Sequence, residues 1–293
     1  MFWFVLATCS ALLSAASAVL QKKILFRLNA LEFSFSVSLA VVLLSSFIPF
    51  TTDVVSLPSS TLFIIIGKSI LGAAAFLLVM LSLQHNQISS ALPLLGLTPA
   101  AAAIISLLVL GEGLLFVEWL GIGFVIAGAY LLERKPADTF FRPIGGIIRS
   151  KNYYYIYGAV GLFAVSSVLD KLLVSGFKVS PPVVLFYQHI IYALLYCAVL
   201  LVRRVSVKEV LRKSAGQFPL IVTVALLTIA YRFTQLEATV LAPVALVLAV
   251  KRTSILYASF FGGKLFSEER LATKLLGALL IVTAGFCILR NVG

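Results

Sequence analysis

The sequence predicts an all-α integral membrane protein whose ten transmembrane helices form two inverted five-helix repeats. Three observations carry this: the apolar content, the length of the apolar runs, and an internal repeat. Of 293 residues, 61% are hydrophobic and 12% charged, with mean hydropathy +1.10; soluble domains hold an apolar share of about 45–50%. The apolar runs continue over roughly 20 residues, the length a helix needs to cross a bilayer, whereas barrel strands would alternate over about 10.

Taken in order, the spans are 2–20, 31–50, 60–84, 88–110, 113–132, 153–174, 181–202, 217–236, 238–265 and 271–290. The first ends in SAASA, which resembles a signal-peptide cleavage site, but no Lys or Arg precedes residue 22 to form a charged n-region, so it is assigned as a helix. Connections of a few residues join spans three and four, four and five, and nine and ten into antiparallel hairpins. Cys9, Cys197 and Cys287 lie inside apolar spans without metal-binding spacing and are expected to be small core residues.

The repeat is read from two alignments. SAVLQK (17–22) returns as SSVLDK (166–171) at offset 149, and GEGLLFVEWLGIGFVIAGAYLLER (111–134) aligns with SEERLATKLLGALLIVTAGFCILR (267–290) at offset 156. The Pro-, Gly- and Arg-containing linker 135–152 separates a first repeat, 1–134, from a second, 153–293. Five is odd, so the second copy enters the membrane upside down. Two inverted halves can rock about a central site, which points to a carrier.

Net charge is +12, but its placement argues against nucleic acid as a partner. Lys22, Lys23, Arg27, Arg134, Lys135, Arg142, Arg149, Lys151, Arg203, Arg204, Lys208, Arg212 and Lys213 all fall in odd-numbered loops, and the even-numbered ones hold only Lys171 and Lys178. Basic loops mark the cytoplasmic face and, secondarily, suit anionic lipid. This bias predicts both termini outside.

The five-plus-five plan, the hairpin residues Glu112 and Glu268, Pro99 ahead of the first, and the glycine-spaced GIGFVIAG and GALLIVTAG together resemble the EamA-type members of the drug/metabolite transporter superfamily. The VKR of span nine is similar to the Lys-Arg pair of the sugar-phosphate translocators, where it binds the substrate phosphate; Leu248 and Ala249 stand where polar residues usually precede it. The resemblance implies a metabolite carrier with both termini cytoplasmic, opposite to the charge bias, and peripheral helices 5 and 10 that offer a homodimer contact.

Within the spans, a few residues conflict with a lipid environment. Lys251 and Arg252 lie roughly 20 Å from either end of span nine at 1.5 Å per residue, too deep to reach an interface. Each costs about 2.5–3.5 kcal/mol near the bilayer centre unless it faces a wet cavity, a carboxylate or a ligand. Asp170 and Glu237 are the carboxylates that come near, against Lys68, Lys171, Arg232, Lys251 and Arg252. An anionic or zwitterionic substrate would supply the missing countercharge.

Arg232 with Tyr231 on span eight and Lys68 on span three are expected to join that site, as are Gln188, His189 and Tyr192 from LFYQHIIYALLY on span seven. Lys22 and Lys171, equivalent ends of spans one and six, read as interfacial anchors. Glu112 and Glu268 read as caps of the next helix, pairing with Arg270 or Lys264.

There is no Walker loop, HExxH, GxSxG or Cys/His cluster, so no enzyme activity and no cofactor are expected. The expectation is secondary transport of a small polar metabolite, anionic or phosphorylated, at the cell (plasma) membrane, with lipid and a coupling ion or exchanged metabolite as further partners. Two other readings stand beside it: a lipid or lipid-linked-sugar flippase, and a non-transporting scaffold or receptor in which the Lys-Arg pair is structural.

Overall fold

The computed structural model describes residues 2–48, 57–98, 151–242 and 244–289, with isolated positions between 101 and 127. Outside them fall Pro99, Glu112, most of the fifth span with Gly121, Gly128 and Arg134, the linker up to residue 150, and Arg290. The helix 5 side of the expected dimer surface lies largely there too.

The described chain is an all-α bundle: α1 (Phe2–Ile24), α2 (Ala30–Leu44), α3 (Ser59–His85), α4 (Ile88–Leu94), α5 (Lys151–Lys171), α6 (Pro181–Val202), α7 (Val207–Ala215), α8 (Phe218–Leu241), α9 (Val244–Arg252), α10 (Ser254–Leu265) and α11 (Leu271–Leu289). Among the described residues, five stretches are long and apolar enough to cross a membrane: Phe2–Ile24, Ser59–His85, Tyr154–Gly176, Pro181–Val202 and Phe218–Leu241.

Local chemistry sets the ends. Asn29 opens α2 through a reciprocal capping box, accepting from Glu32 N at 2.9 Å while Asn29 N donates to Glu32 at 3.1 Å. Proline occupies the first turn of α6 and of α8, where a missing N–H costs nothing. A wide π-turn, Leu172–Gly176, ends α5, with Phe177 N donating to Leu172 O at 2.9 Å.

Three expectations need correction. The boundary expected at residue 237 lies at Ala242, so the eighth span runs on to Leu241. Ala238, Val240 and Leu241 are apolar and suit either helix, and the sequence then brings a proline, which has no N–H to extend one. The ninth span is broken: α9 ends at Arg252 and α10 starts at Ser254, with Thr253 N and Thr253 Oγ1 both donating to Val250 O, at 3.1 and 2.7 Å. Finally, the basic connection after α6 contains a helix of its own, α7. It buries Val210 and bonds Ser214 to Ser36 of α2 at 2.7 Å.

Packing follows a pattern of exchange. α1 packs along α8 as α3 packs along α5, α2 on α8 as α6 on α3, while α2 meets α6. Swapping each first-half helix for its counterpart maps these pairings onto one another.

The same exchange governs two lysines. Lys22 Nζ donates to the carbonyls of Leu83 and, at 2.8 Å, Asn86, at the end of α3. Lys171 Nζ donates to those of Thr239 and Ala242, at 2.9 and 3.2 Å, at the end of α8. Leu83 and Thr239, and likewise Asn86 and Ala242, are 156 apart. The two lysines are therefore caps on helix C-termini, where cations meet orphan carbonyls, and not the interfacial anchors expected.

Glu268 also departs from expectation. Its carboxylate accepts from Ile88 N at 2.7 Å, Ser89 N at 3.1 Å and the Ser89 hydroxyl. It thus caps α4 of the other half, the opposite pole of a helix from the lysine caps. Lys274 lies 3.8 Å from it and bonds Gln87.

Apolar packing fills both ends of the bundle. The larger cluster, around Ile24, Phe33, Leu83, Ile88 and Ile156, sits by the α1–α2 and α3–α4 connections. A smaller one, around Ile65, Leu173, Val184 and Leu236, sits at the other end. Between them the bundle is hollow.

Candidate binding cavity

A cavity of about 120 Å³ occupies the middle of the bundle, walled by α5, α6, α8 and α9, with Val37, Ser38 and Phe76 closing it from α2 and α3. Tyr231, Arg232, Lys251, Arg252, Gln188, His189 and Tyr192 all line it. Lys68 does not.

Lys68 is fully buried behind the wall, salt-bridged to Asp170 and donating to Gln188 Oε1 at 2.7 Å. Arg232 meets the same two groups from the cavity side, at 3.1 Å to Asp170 and 2.8 Å to Gln188. Asp170 thereby holds two cations, and the Gln188 carbonyl accepts from both. In a low-dielectric interior this arrangement keeps each charge solvated by fixed partners.

Arg232 also reaches Gln235 at 3.2 Å, and Gln235 in turn accepts from Lys251. Positions 232 and 235 are three apart and share a helix face. Lys251 Nζ stands 4.8 Å from the centroid of the Tyr231 ring, within cation–π range. Gln235 and the ring are both neutral.

Arg252 has less. Its Nε is buried without a hydrogen-bond partner, and among the described residues neither Lys251 nor Arg252 forms an ion pair. The carboxylates expected as structural partners are engaged elsewhere or remote: Asp170 serves Lys68 and Arg232, and Glu237 lines a separate hollow with Lys178 and Ser180. The cavity wall and its backing hold four cations and one carboxylate.

Backbone placement explains why the pair faces inward. Because α9 starts at Val244, Lys251 lies about 10 Å along it, and the helix stops one residue later. Its first-half counterpart stops two residues earlier in the repeat: α4 gives way to a 3₁₀ turn at Leu95–Leu97, with the Thr98 hydroxyl donating to Leu95 O at 2.6 Å. Interrupted helices that point into a midplane cavity recur in secondary carriers.

The aromatic face of α6 is partly architecture. Tyr196 donates to Ala73 O of α3 at 2.7 Å, and Tyr192 passes so close to Gly72 that a β-carbon there would overlap its hydroxyl. His189 Nδ1 donates to Leu185 O at 2.9 Å, which fixes its tautomer and ring orientation. Gln235, Ser167 and Thr228, neutral residues that also line the cavity, carry no sequence signal apart from the three-residue spacing of Arg232 and Gln235. Among the described residues no cluster of His, Cys, Asp or Glu could hold a metal.

Residues 1–134 match the EamA-like transporter family, giving the chain an N-terminal EamA domain. A solved structure described only as "Crystal structure of protein" superposes with a TM-score of 0.59 at 16% identity, covering 96% of this chain and 96% of that one. That likeness is one of fold. No curated protein matches the chain. The match of residues 1–134 to a transporter family and the helices long enough and apolar enough to cross a membrane are consistent with a membrane transporter.

Proposed function

We propose that this protein is a secondary transporter of a small organic anion, carboxylated or phosphorylated, working by alternating access between a first half, 1–134, and a second half, 153–293. The observation that carries the reading is Arg252, a cavity-lining guanidinium with a buried, unpartnered Nε, beside Lys251, whose polar contacts among the described residues are the neutral Gln235 and the Tyr231 ring. An unpaired intramembrane cation is costly unless something mobile pairs with it. Lys251 and Arg252 clamp the anionic group, Arg232 adds a third positive charge while Asp170 holds it in place, and Gln188, His189 and Tyr192 shape the wall. Lys68 takes a positioning role behind them.

The exchange-symmetric helix pairings and the matched caps at Lys22 and Lys171 support two inverted halves. The test is uptake into vesicles reconstituted with the wild type, Lys251→Ala or Arg252→Ala. Loss of anion uptake in variants that keep the wild-type melting temperature is expected; folded variants that carry every wild-type substrate undiminished would sink the reading.

A further inference from the structure

A second chamber, of about 130 Å³, adjoins the first. The two share Phe76, Phe163, Tyr231, Lys251 and Arg252, which form the waist between them. They are also mates under the repeat. Adding 149 takes Ala18 and Gln21 of the second chamber to Ser167 and Asp170 of the first; adding 156 takes Val79, Leu92 and Leu95 to Gln235, Leu248 and Lys251.

The chemistry of the mates differs systematically. Where the first chamber has Asp170, Gln235 and Lys251, the second has Gln21, Val79 and Leu95, and its remaining wall includes Ala15, Met80 and Ala258. Its own polar groups, Ser14, Gln21 and Ser254, are all neutral, and Gln21 is already bonded to Ser17 at 2.9 Å. All the charge in the second chamber comes from the two waist cations.

We infer that the transported anion is amphipathic, its charged group held in the first chamber and an uncharged, largely apolar tail of about one ring in the second, with the Lys251–Arg252 waist between. An apolar cavity near 150 Å³ accepts benzene, which sets the size of the tail. This inference rests on the transporter reading above and adds the substrate class to it. An extended polar tail, such as a sugar, would leave hydroxyls unpaired against Ala18, Val79 and Leu92.

Binding of inorganic phosphate, phenyl phosphate and glucose 6-phosphate to the purified wild type, by calorimetry in detergent, tests it. Phenyl phosphate is expected to bind at least about tenfold tighter than inorganic phosphate, from burial of one ring, and tighter than glucose 6-phosphate. In Ala18→Phe, which fills the second chamber, the phenyl-to-inorganic affinity ratio falls toward one. In Val79→Asn, a smaller change should that variant fold poorly, the ratio falls in the same direction.

If glucose 6-phosphate binds as tightly as phenyl phosphate, or the ratio survives both substitutions, the amphipathic assignment is overturned while the anion carrier stands. If none of the three binds, and phenylacetate does not either, the anion reading fails and takes the assignment with it.

Discussion

Two sets of intramembrane cations behave in opposite ways. Lys22 and Lys171 occupy equivalent places in the two halves and bond equivalent carbonyls at the ends of α3 and α8. Lys251 and Arg252 have Leu95 and Gly96 as counterparts and make no ion pair among the described residues. Charge that the repeat duplicates caps helix ends, while unduplicated charge divides: Lys68 is paired inside the fold with Asp170, and Lys251 and Arg252 make no ion pair among the described residues. Asp170 belongs to the unduplicated set, opposite Gln21, yet its partners are internal, so it bridges the two roles.

The sharpest way to break this comparison is at Asp170. Asp170→Asn leaves Lys68 and Arg232 buried without a countercharge, and a loss of about 3–5 kcal/mol is expected in denaturant unfolding. Adding Lys68→Met should recover part of it. A stable Asp170→Asn protein would show that the cluster is wetter than its burial implies.

Next in size, Arg252→Ala should lower uptake about 100-fold with stability changed by less than about 0.5 kcal/mol, because no buried partner is stranded. A large drop in stability would move Arg252 into the architectural set. Lys22→Met and Lys171→Met should do the reverse, each costing about 1–3 kcal/mol through two freed helix-end carbonyls. The two losses should match, and a marked inequality between them would undo the equivalence of the halves.

The smallest effect concerns Lys213 of α7, outside the bundle. Its ammonium donates to Glu32 at 3.1 Å and also pairs with Glu209, and these bonds raise its pKa above the ordinary 10.5. A raised folded value means the contribution is complete below 10.5 and is lost as pH climbs through the higher folded value. Amide exchange in α7 should stay flat from neutral pH to about 10, once corrected for intrinsic rate, and rise above it. Glu32→Gln should weaken that step, and an unchanged profile would remove Glu32 as its cause.

Much of the bundle could be read from the residues because lipid imposes length and apolarity on every span. Its interruptions could not. Nothing in VLAVKRTSILY distinguishes a continuous helix from one that stops at Arg252, since an apolar run satisfies both. Seven of the eight residues singled out line the first cavity: Arg232, Lys251 and Arg252 because a buried cation is costly and therefore conspicuous, and Tyr231, Gln188, His189 and Tyr192 because polar and aromatic groups stand out in apolar spans. Lys68 was equally conspicuous but turned away, and direction around a helix apolar on all sides has no sequence signal. Neutral Gln235 passed unnoticed for the complementary reason, and Glu268 was read as a cap but of the wrong helix, because its partner lies about 180 residues away.

Glu268 has a further consequence, for speed. The lysine caps tie helices of one half to each other, whereas the long flanks that cross between halves, α1 on α8 and α3 on α5, are mainly apolar and carry only scattered directional bonds, such as Ser10 Oγ to Tyr231 O at 2.7 Å and the Lys68–Asp170 salt bridge. The seam at Glu268, Ile88 and Ser89 crosses between halves through hydrogen bonds that cannot slide. For a carrier that rocks, separation at that end must break all of them together. Part of the barrier to that separation would then be set by one buried glutamate side chain, whatever the cargo.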